Sequence, residues 1–235
     1  MALTILCTHR GRDDKVNDFI YHYQLYYPQA EIILLHQADN SPFKKGQLYN
    51  IGFSLSKGDV IAFVDIDIRL QHFIDLEGTM LEKKKPFFPY EAIIHCELQP
   101  NHTYKILPHP CWQYSPGGFY CYTREQYTSI NGHSNLYIGH SYEDTEIRDR
   151  GNPIRLPNTL LHIVHSNAIR NRVQMQRNER IYNTRGQRSI QADGLKQTTY
   201  VLISKKVFSP FASQYEVSNI GVVPTFVYRN LLAGV

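Results

Sequence analysis

Val60-Ile61-Ala62-Phe63-Val64-Asp65-Ile66-Asp67 is the stretch on which the fold turns. Its first five residues are apolar and rich in β-branching. Asp59 and Asp65 bound them, so they read as a short buried strand. Two carboxylates, one residue apart, stand where that strand ends. Upstream, Lys45–Ser56 has Leu48, Ile51, Gly52 and Leu55 at helical spacing, and Lys57-Gly58-Asp59 closes it. Before it come the turn Ala38-Asp39-Asn40-Ser41-Pro42 and the apolar run Glu31-Ile32-Ile33-Leu34-Leu35-His36, a second strand. A helix from Asp13 or Asp14, either of which can cap it, runs to about Tyr26 and stops before Pro28. Val16, Phe19, Ile20, Tyr23 and Leu25 supply its apolar positions. Leu3-Thr4-Ile5-Leu6-Cys7 is the first strand, and Thr8-His9-Arg10-Gly11-Arg12 is the loop at its end. Strand, helix, strand, helix, strand predicts a parallel sheet with helices packed on it. Ligands of such sheets bind at the carboxyl ends of the strands. Two of those ends are Thr8–Arg12 and Asp65-Ile66-Asp67.

Downstream the pattern is less regular. A helix over Phe73 to about Lys83 and a strand over Ala92–His95 are expected. Residues 97–116, rich in Pro, His and aromatics, read as a long loop over a site. Gly117-Gly118-Phe119-Tyr120-Cys121-Tyr122 reads as a strand with close backbone approach at its start. Short helices are expected over Arg124–Ile130 and Glu143–Arg150, and a late strand over Leu160–His165. Residues 166–190 hold Arg170, Arg172, Arg177, Arg180, Arg185 and Arg188 against one acid, Glu179.

Composition sets bounds. The chain has 235 residues, 42% hydrophobic and 20% charged, which is ordinary globular usage. Mean hydropathy is −0.39. No apolar run approaches the about 18–20 residues of a membrane helix. The N-terminus lacks the basic leader and core of a signal peptide, so a cytoplasmic location is expected. A net charge of +4 is too diffuse for a nucleic-acid binder. Cys7, Cys96, Cys111 and Cys121 form no C-x-x-C pair and read as reduced, mostly buried thiols. Cys96 beside His95 and Cys111 near His109 support zinc only poorly. There are 17 Tyr and one Trp.

Four constellations carry chemistry. Asp65-Ile66-Asp67 can hold a divalent cation against a polyphosphate; alone, such a pair is also an ordinary turn. His162-Ile163-Val164-His165 places two imidazoles on one side only if the chain bends there. Otherwise one is structural and one is surface. Glu143-Asp144 opens a helix, where a carboxylate is favoured by the dipole whether or not it acts as a base. Arg10, Arg12, Lys44, Lys45 and the later arginines suit phosphate oxygens or a solvated basic face.

Taken in order, these pieces resemble the β-1,4-galactosyltransferase family. Thr8-His9-Arg10-Gly11-Arg12 is similar to its Pro-Phe-Arg-Asn-Arg loop. His36-Gln37-Ala38-Asp39 and Phe43–Phe53 are similar to its Asn-Gln-Ala and Phe-Asn-Arg-Ala-Lys-Leu-Leu-Asn-Val-Gly-Phe segments. Asp65-Ile66-Asp67 replaces Asp-Val-Asp. Gly117-Gly118, Ile130-Asn131-Gly132, Gly139 with Glu143-Asp144, His165-Ser166 and Asp193-Gly194-Leu195 follow in family order. The resemblance implies one GT-A domain over 1–235: an α/β, Rossmann-like fold with a central, mostly parallel mixed sheet flanked by helices. Residues up to about 115 would hold the nucleotide-sugar and metal. Those from about 116 would hold the acceptor, with 166–190 a mobile basic segment closing over the donor.

It further implies an inverting transferase that uses Mn2+ or Mg2+ and a UDP-sugar. Asp67, His162 and His165 would be metal ligands. Thr8, Arg10, Arg12, Lys45, Asp65 and Gly118 would bind the nucleotide-sugar. Asp144 would be the catalytic base, with Glu143, Asp144, Thr145 and Arg177 at a glycan acceptor. Peripheral association through a lipid-linked acceptor stays open. The chain departs from the family at Thr145 and Glu146, where the family has Asp, and at Ile138-Gly139-His140, which lacks two tryptophans. Asn178 replaces an acceptor aromatic, and Ser115 stands near a bulky Tyr of galactose-specific members. A donor carrying an N-acetyl group is therefore expected. Tyr114, Tyr137 and Tyr142 are expected to frame the sugar. The rival readings are an inactive nucleotide-sugar or glycan-binding domain and a metal-dependent nucleotidyltransferase.

Overall fold

The computed structural model describes residues 1–108, 112–139, 141–165 and 171–222. The alternation expected from the first 65 residues is present: β1 (Leu3–His9), α1 (Val16–Tyr26), β2 (Glu31–Gln37), α2 (Lys45–Leu55) and β3 (Val60–Asp65). β1 is buried throughout and pairs in parallel with both β2 and β3, Cys7 lying opposite Leu34 and Val64. Right-handed crossovers from β1 to β2, and from β2 back past β1 to β3, put α1 and α2 on opposite faces. α2 packs tightly on the sheet because Gly52 brings its backbone down. A Cβ there would overlap the Leu6 and Leu35 side chains.

The chain continues as β4 (Ile68–Leu70), α3 (Leu76–Lys83), β5 (Phe87–Phe88), β6 (Ala92–Leu98), β7 (Tyr104–Ile106), β8 (Trp112–Gln113) and β9 (Phe119–Thr123). It ends with α4 (Arg124–Ser129), α5 (Glu143–Gly151), β10 (Ile154–Arg155), β11 (Thr159–Ile163), α6 (Arg172–Asn183), β12 (Thr198–Ser209) and β13 (Ala212–Val222). The main sheet runs β10-β5-β9-β3-β1-β2-β13-β12. Its pairs are parallel from β3 to β13 and between β10 and β5, and antiparallel elsewhere. A second sheet, β4-β11-β6-β7 with β8 beside β6, adjoins the end of β3. The architecture is the expected α/β fold with a central, mostly parallel mixed sheet.

Several local expectations are corrected. No side chain of Asp13 or Asp14 caps α1; a 3-10 turn over Asp13–Lys15 leads into it. Leu25 is exposed, so the buried face of α1 is Val16, Phe19, Ile20 and Tyr23. The next helix starts at Leu76 rather than Phe73, because the Asp75 carboxylate accepts the Gly78 N–H and fixes its first turn. Residues 97–116 are not one loop: β7 and β8 both pair with β6 along the edge opposite β11. The late strand stops at Ile163, short of His165. The hairpin of β12 and β13 and helix α6 have no counterpart in the sequence reading. His109, Cys111, His140, Ser166 and Arg170 lie outside the described residues. Cys7, Cys96 and Cys121 are buried free thiols.

The tyrosine excess is largely core. Tyr23, Tyr49, Tyr120, Tyr122 and Tyr127 are almost wholly buried. Each places its hydroxyl on a partner: Ile68 O, Asp65, His133, Ile147 O and Asn50, respectively. A ring that fills volume and ends in a satisfied hydroxyl suits an interior with polar seams.

Candidate active site

The carboxyl ends of β1 and β3 set the site. Thr8 lies opposite Asp65 in register, so the 8–12 loop and the Asp65-Ile66-Asp67 turn emerge side by side. Three backbone ties hold that turn. The Asp65 N–H donates to Gly118 O at 2.9 Å, the Ile163 N–H donates to Asp67 O at 2.8 Å, and Arg69 donates to Ile66 O at 2.9 Å. β11 pairs antiparallel with β4, placing His162 opposite Ile68. Because the strand ends at Ile163, the chain bends and returns His165 to the same side as His162. This is the bend that imidazoles three residues apart require.

Asp67, His162 and His165 therefore converge. His165 Nε2 lies 3.0 Å and His162 Nε2 3.6 Å from Asp67 Oδ2. One ligand atom from each residue falls within 4.8 Å of the others. Arg12 completes the cluster, with its Nη2 2.9 Å from His165 Nδ1 and its Nη1 3.9 Å from Asp67. Burial alone would raise the Asp67 carboxyl, but the two histidines outweigh it and hold it well below the usual carboxylate range. One carboxylate and two imidazoles form a mixed donor set. It suits Mn2+ better than Mg2+, which prefers an all-oxygen shell. Trp112, the only tryptophan, packs against His162 with ring centres 5.1 Å apart.

A second cluster adjoins the first through Asp65. The buried Lys45 ammonium bridges Asp65 at 2.9 Å and Asp144 at 2.8 Å, and the Tyr49 hydroxyl donates to Asp65 at 3.0 Å. Burial would depress the Lys45 ammonium, but Asp144 and Asp65 outweigh it and keep it charged. Asp144 stands in the first turn of α5 with its side chain 17% exposed, open enough to meet a ligand. Burial pushes its carboxyl up to about 7; Glu143 and Asp65 add to the rise and Lys45 opposes it. Glu143 is also raised by burial, with Lys45 opposing. A carboxylate that titrates near neutrality beside the Asp67–His162–His165 triad can accept a proton at working pH.

Gly117 makes this placement possible. A Cβ there would overlap the Asp144 carboxylate. Gly117→Ala is thus expected to displace the carboxylate, cutting turnover by roughly 10²-fold. Mn2+ binding and the fold should survive. Steady-state kinetics beside a Mn2+ titration checks this, and wild-type turnover would refute it.

The other sequence-assigned residues are placed as follows. Thr8 is buried with its hydroxyl unpartnered among the described residues. Arg10 donates to the Ser41 carbonyl. Lys45, expected on a diphosphate, has its charge committed to two carboxylates. Gly118, with φ of +100°, offers its carbonyl to Asp65. Thr145 lies half-buried in α5, one residue beyond Asp144. Arg177 is exposed on α6 and donates to Leu136 O at 2.8 Å. Beside it, the buried Asn178 amide donates to Ile138 O at 2.8 Å and Ser141 O at 3.2 Å, pinning the loop before α5 to α6.

Two groups are corrected. Arg185 pairs with Asp149 at 3.1 Å, and Arg188 with Glu146 at 3.0 Å and Asp193 at 3.2 Å. These arginines tie their segment to α5 rather than standing free for phosphate. Tyr137 is buried and donates to Glu146, so it does not frame a sugar. Tyr142 stacks on Tyr182, and Tyr114 is exposed with its hydroxyl on Glu91. Sequence reasoning assigned no role to Tyr49 or Arg69, whereas the close approach expected at Gly117-Gly118 is met by Gly117 against the Asp144 carboxylate. Only the strand-end position of Asp65 hinted that buried partners would be needed there.

Residues 102–157 match the family model described as the N-terminal domain of galactosyltransferase. β-1,4-Galactosyltransferase 1 of Bos taurus is 27% identical over 218 residues, 86% of this chain and 50% of that protein. β-1,4-Galactosyltransferase 3 of Homo sapiens is 26% identical over 219 residues, 86% of this chain and 52% of that protein. The chain thus spans about half the length of the curated relatives it matches. The catalytic domain of Drosophila β1,4-galactosyltransferase 7, solved with xylobiose, superposes with a TM-score of 0.65 at 19% identity, covering 92% of this chain and 93% of that one. A mutant of that enzyme with manganese, UDP-Gal and xylobiose gives 0.61 at 18%, covering 93% and 94%. The shared fold is GT-A.

Proposed function

We propose that this chain belongs to the β-1,4-galactosyltransferase-like family it resembles and is a metal-dependent inverting glycosyltransferase. It moves a hexose or N-acetylhexosamine from a UDP-sugar to a glycan hydroxyl. One observation carries the reading: the Asp67–His162–His165 cluster and the Asp144 carboxylate, tied to Asp65 through Lys45, flank a single three-residue turn. A cation held by Asp67, His162 and His165 would neutralise charge on the departing diphosphate. Mn2+ fits this donor set and is the metal in the complex of the Drosophila relative. Arg12, beside the triad, would hold phosphate oxygens, and Arg10 would close the nucleotide side.

Asp144 takes the proton from an acceptor hydroxyl as that oxygen attacks the anomeric carbon. The bond from that carbon to the diphosphate oxygen breaks as the new bond forms, and the electron pair leaves with UDP. Attack opposite the leaving group turns an α-linked donor into a β-linked product. Lys45 holds Asp144 and Asp65 in a fixed relation, so the base and the turn carrying Asp67 keep their spacing. The inactive binding domain and the nucleotidyltransferase remain outcomes of the test. UDP release from UDP-Gal and UDP-GalNAc is followed with and without Mn2+, using oligosaccharide acceptors that include xylobiose. Mn2+-dependent, acceptor-stimulated release is expected. Turnover of nucleoside triphosphates alone, or of nothing, would sink the reading.

Ser115 supports a finer statement. It lies two residues before Gly117, on the turn that meets Asp144, and Tyr114 directs its hydroxyl to Glu91. A small side chain there leaves room for an acetamido group. In the same assay kcat/KM is expected to favour UDP-GalNAc over UDP-Gal by roughly 10-fold or more, the scale of one well-fitted group. A preference for UDP-Gal would refute this.

A further inference from the structure

Arg69 is wholly buried, among the largest side chains to be so in the described residues. It follows the Asp65-Ile66-Asp67 turn by two residues and is closed off from solvent. Its Nη1 donates to Ile66 O at 2.9 Å and to Ile68 O at 2.7 Å. Its Nε donates to Asp18 Oδ2 at 2.9 Å, and the Phe19 ring lies 5.2 Å beneath the guanidinium. Asp18, on α1, is 3% exposed and also meets His102 Nδ1 at 2.7 Å. A buried ion pair of this kind is a poor stabiliser, because desolvating both charges offsets most of their attraction. Apolar side chains of equal volume would hold α1 against β4 as well or better. What they could not do is grip two carbonyls flanking Asp67.

We infer that the Arg69–Asp18 pair is a positioning device for the metal site: anchored by Asp18 on α1, Arg69 fixes the Ile66 and Ile68 carbonyls and so aims the Asp67 carboxylate at His162 and His165. Asp67 is the only residue of the triad on this turn, and the Ile66 carbonyl belongs to the peptide that leads into it. Loss of that bond frees the turn between its two other ties, Asp65 N–H to Gly118 O and Ile163 N–H to Asp67 O. Partners standing behind metal ligands in this way commonly change affinity by about 10–100-fold when removed.

The inference rests on the metal site proposed above, and the test separates the two. Mn2+ is titrated into the full chain by calorimetry, with the melting temperature recorded for each variant. Either partner changed alone to an apolar residue strands a buried charge and risks the fold, so the pair is exchanged together as Asp18→Leu with Arg69→Met. That double variant removes both charges together and is expected to fold, yet bind Mn2+ about 10–100-fold more weakly. Arg69→Lys keeps the charge opposite Asp18, but a point ammonium cannot span Asp18 and both carbonyls. It is expected to fold and to show the same direction of loss. UDP-sugar turnover at saturating Mn2+ should recover in both, so the defect lies in the metal dependence rather than in kcat. Wild-type Mn2+ affinity in whichever variant folds would overturn the inference. Failure of the wild-type chain to bind Mn2+ would instead overturn the functional reading beneath it.

Discussion

Replacing Asp67 by Asn is expected to lower UDP-sugar turnover by about 10³-fold or more, equivalent to about 4 kcal/mol of transition-state stabilisation. Asp67 is the one carboxylate of the triad, and its oxygen faces both imidazoles at 3.0 and 3.6 Å. Asn preserves shape and backbone ties but removes the negative charge that a divalent cation needs among neutral ligands. The loss should therefore appear first in Mn2+ binding. Trp112 offers a direct readout, since its ring lies against His162 and no other tryptophan is present. Bound Mn2+ is expected to quench its fluorescence in the wild type. In Asp67→Asn the quenching should need at least about 10²-fold more Mn2+. His162→Ala and His165→Ala, which each remove one neutral ligand, should give smaller losses in the same direction. Unchanged quenching and turnover in Asp67→Asn would place the metal elsewhere.

Asp144→Asn is expected to reduce transfer by about 10²–10⁴-fold, the range for removal of a general base. UDP and Mn2+ should bind as in the wild type, because Asp144 belongs to the Lys45 cluster rather than to the triad. The pH profile gives an independent sign. Burial raises the Asp144 carboxyl to about 7, so the base is deprotonated above that pH and protonated below it. Wild-type kcat/KM is expected to fall about tenfold per unit as pH drops below 7, and to level off above it. The Asn variant should lack this limb. The raised value also means that the folded chain binds a proton between the ordinary carboxylate range and about pH 7 that the unfolded chain does not. The stabilisation from this difference is complete below the unfolded value and is lost as pH rises through about 7. A flat wild-type profile from pH 5.5 to 8, or full activity in Asp144→Asn, would remove Asp144 from the base role.

The parallel core was legible because its signals are local. Val60–Val64 is bounded by charge, and the helices before it keep their period over three turns. The cation cluster was half legible. Asp65-Ile66-Asp67 and His162-Ile163-Val164-His165 stand out as spacings, but whether the histidines meet depends on where β11 ends. That is set by pairing with β4 and β6, far away in sequence. Long-range pairing also hid the fate of the arginines. Residues 166–190 hold a single acid, yet Arg185 and Arg188 find Asp149, Glu146 and Asp193 outside that segment's apparent charge balance. Tyr137 misled for a similar reason: an aromatic in a Gly-bearing loop resembles a sugar platform until Glu146 is seen to take its hydroxyl. The hairpin of β12 and β13 carries its apolar residues on an exposed edge strand, so it offered little period-2 alternation to read.

The most direct test follows the product itself. A ¹H NMR time course of the chain with a UDP-sugar, an oligosaccharide acceptor and Mn2+ reports both the metal dependence and the stereochemistry of the new linkage. The expected spectrum shows only a β-configured anomeric proton growing in as UDP accumulates, and neither signal grows after chelation. An α-linked product, or transfer that proceeds undiminished in the chelator, would contradict a metal-dependent transfer by back-side attack.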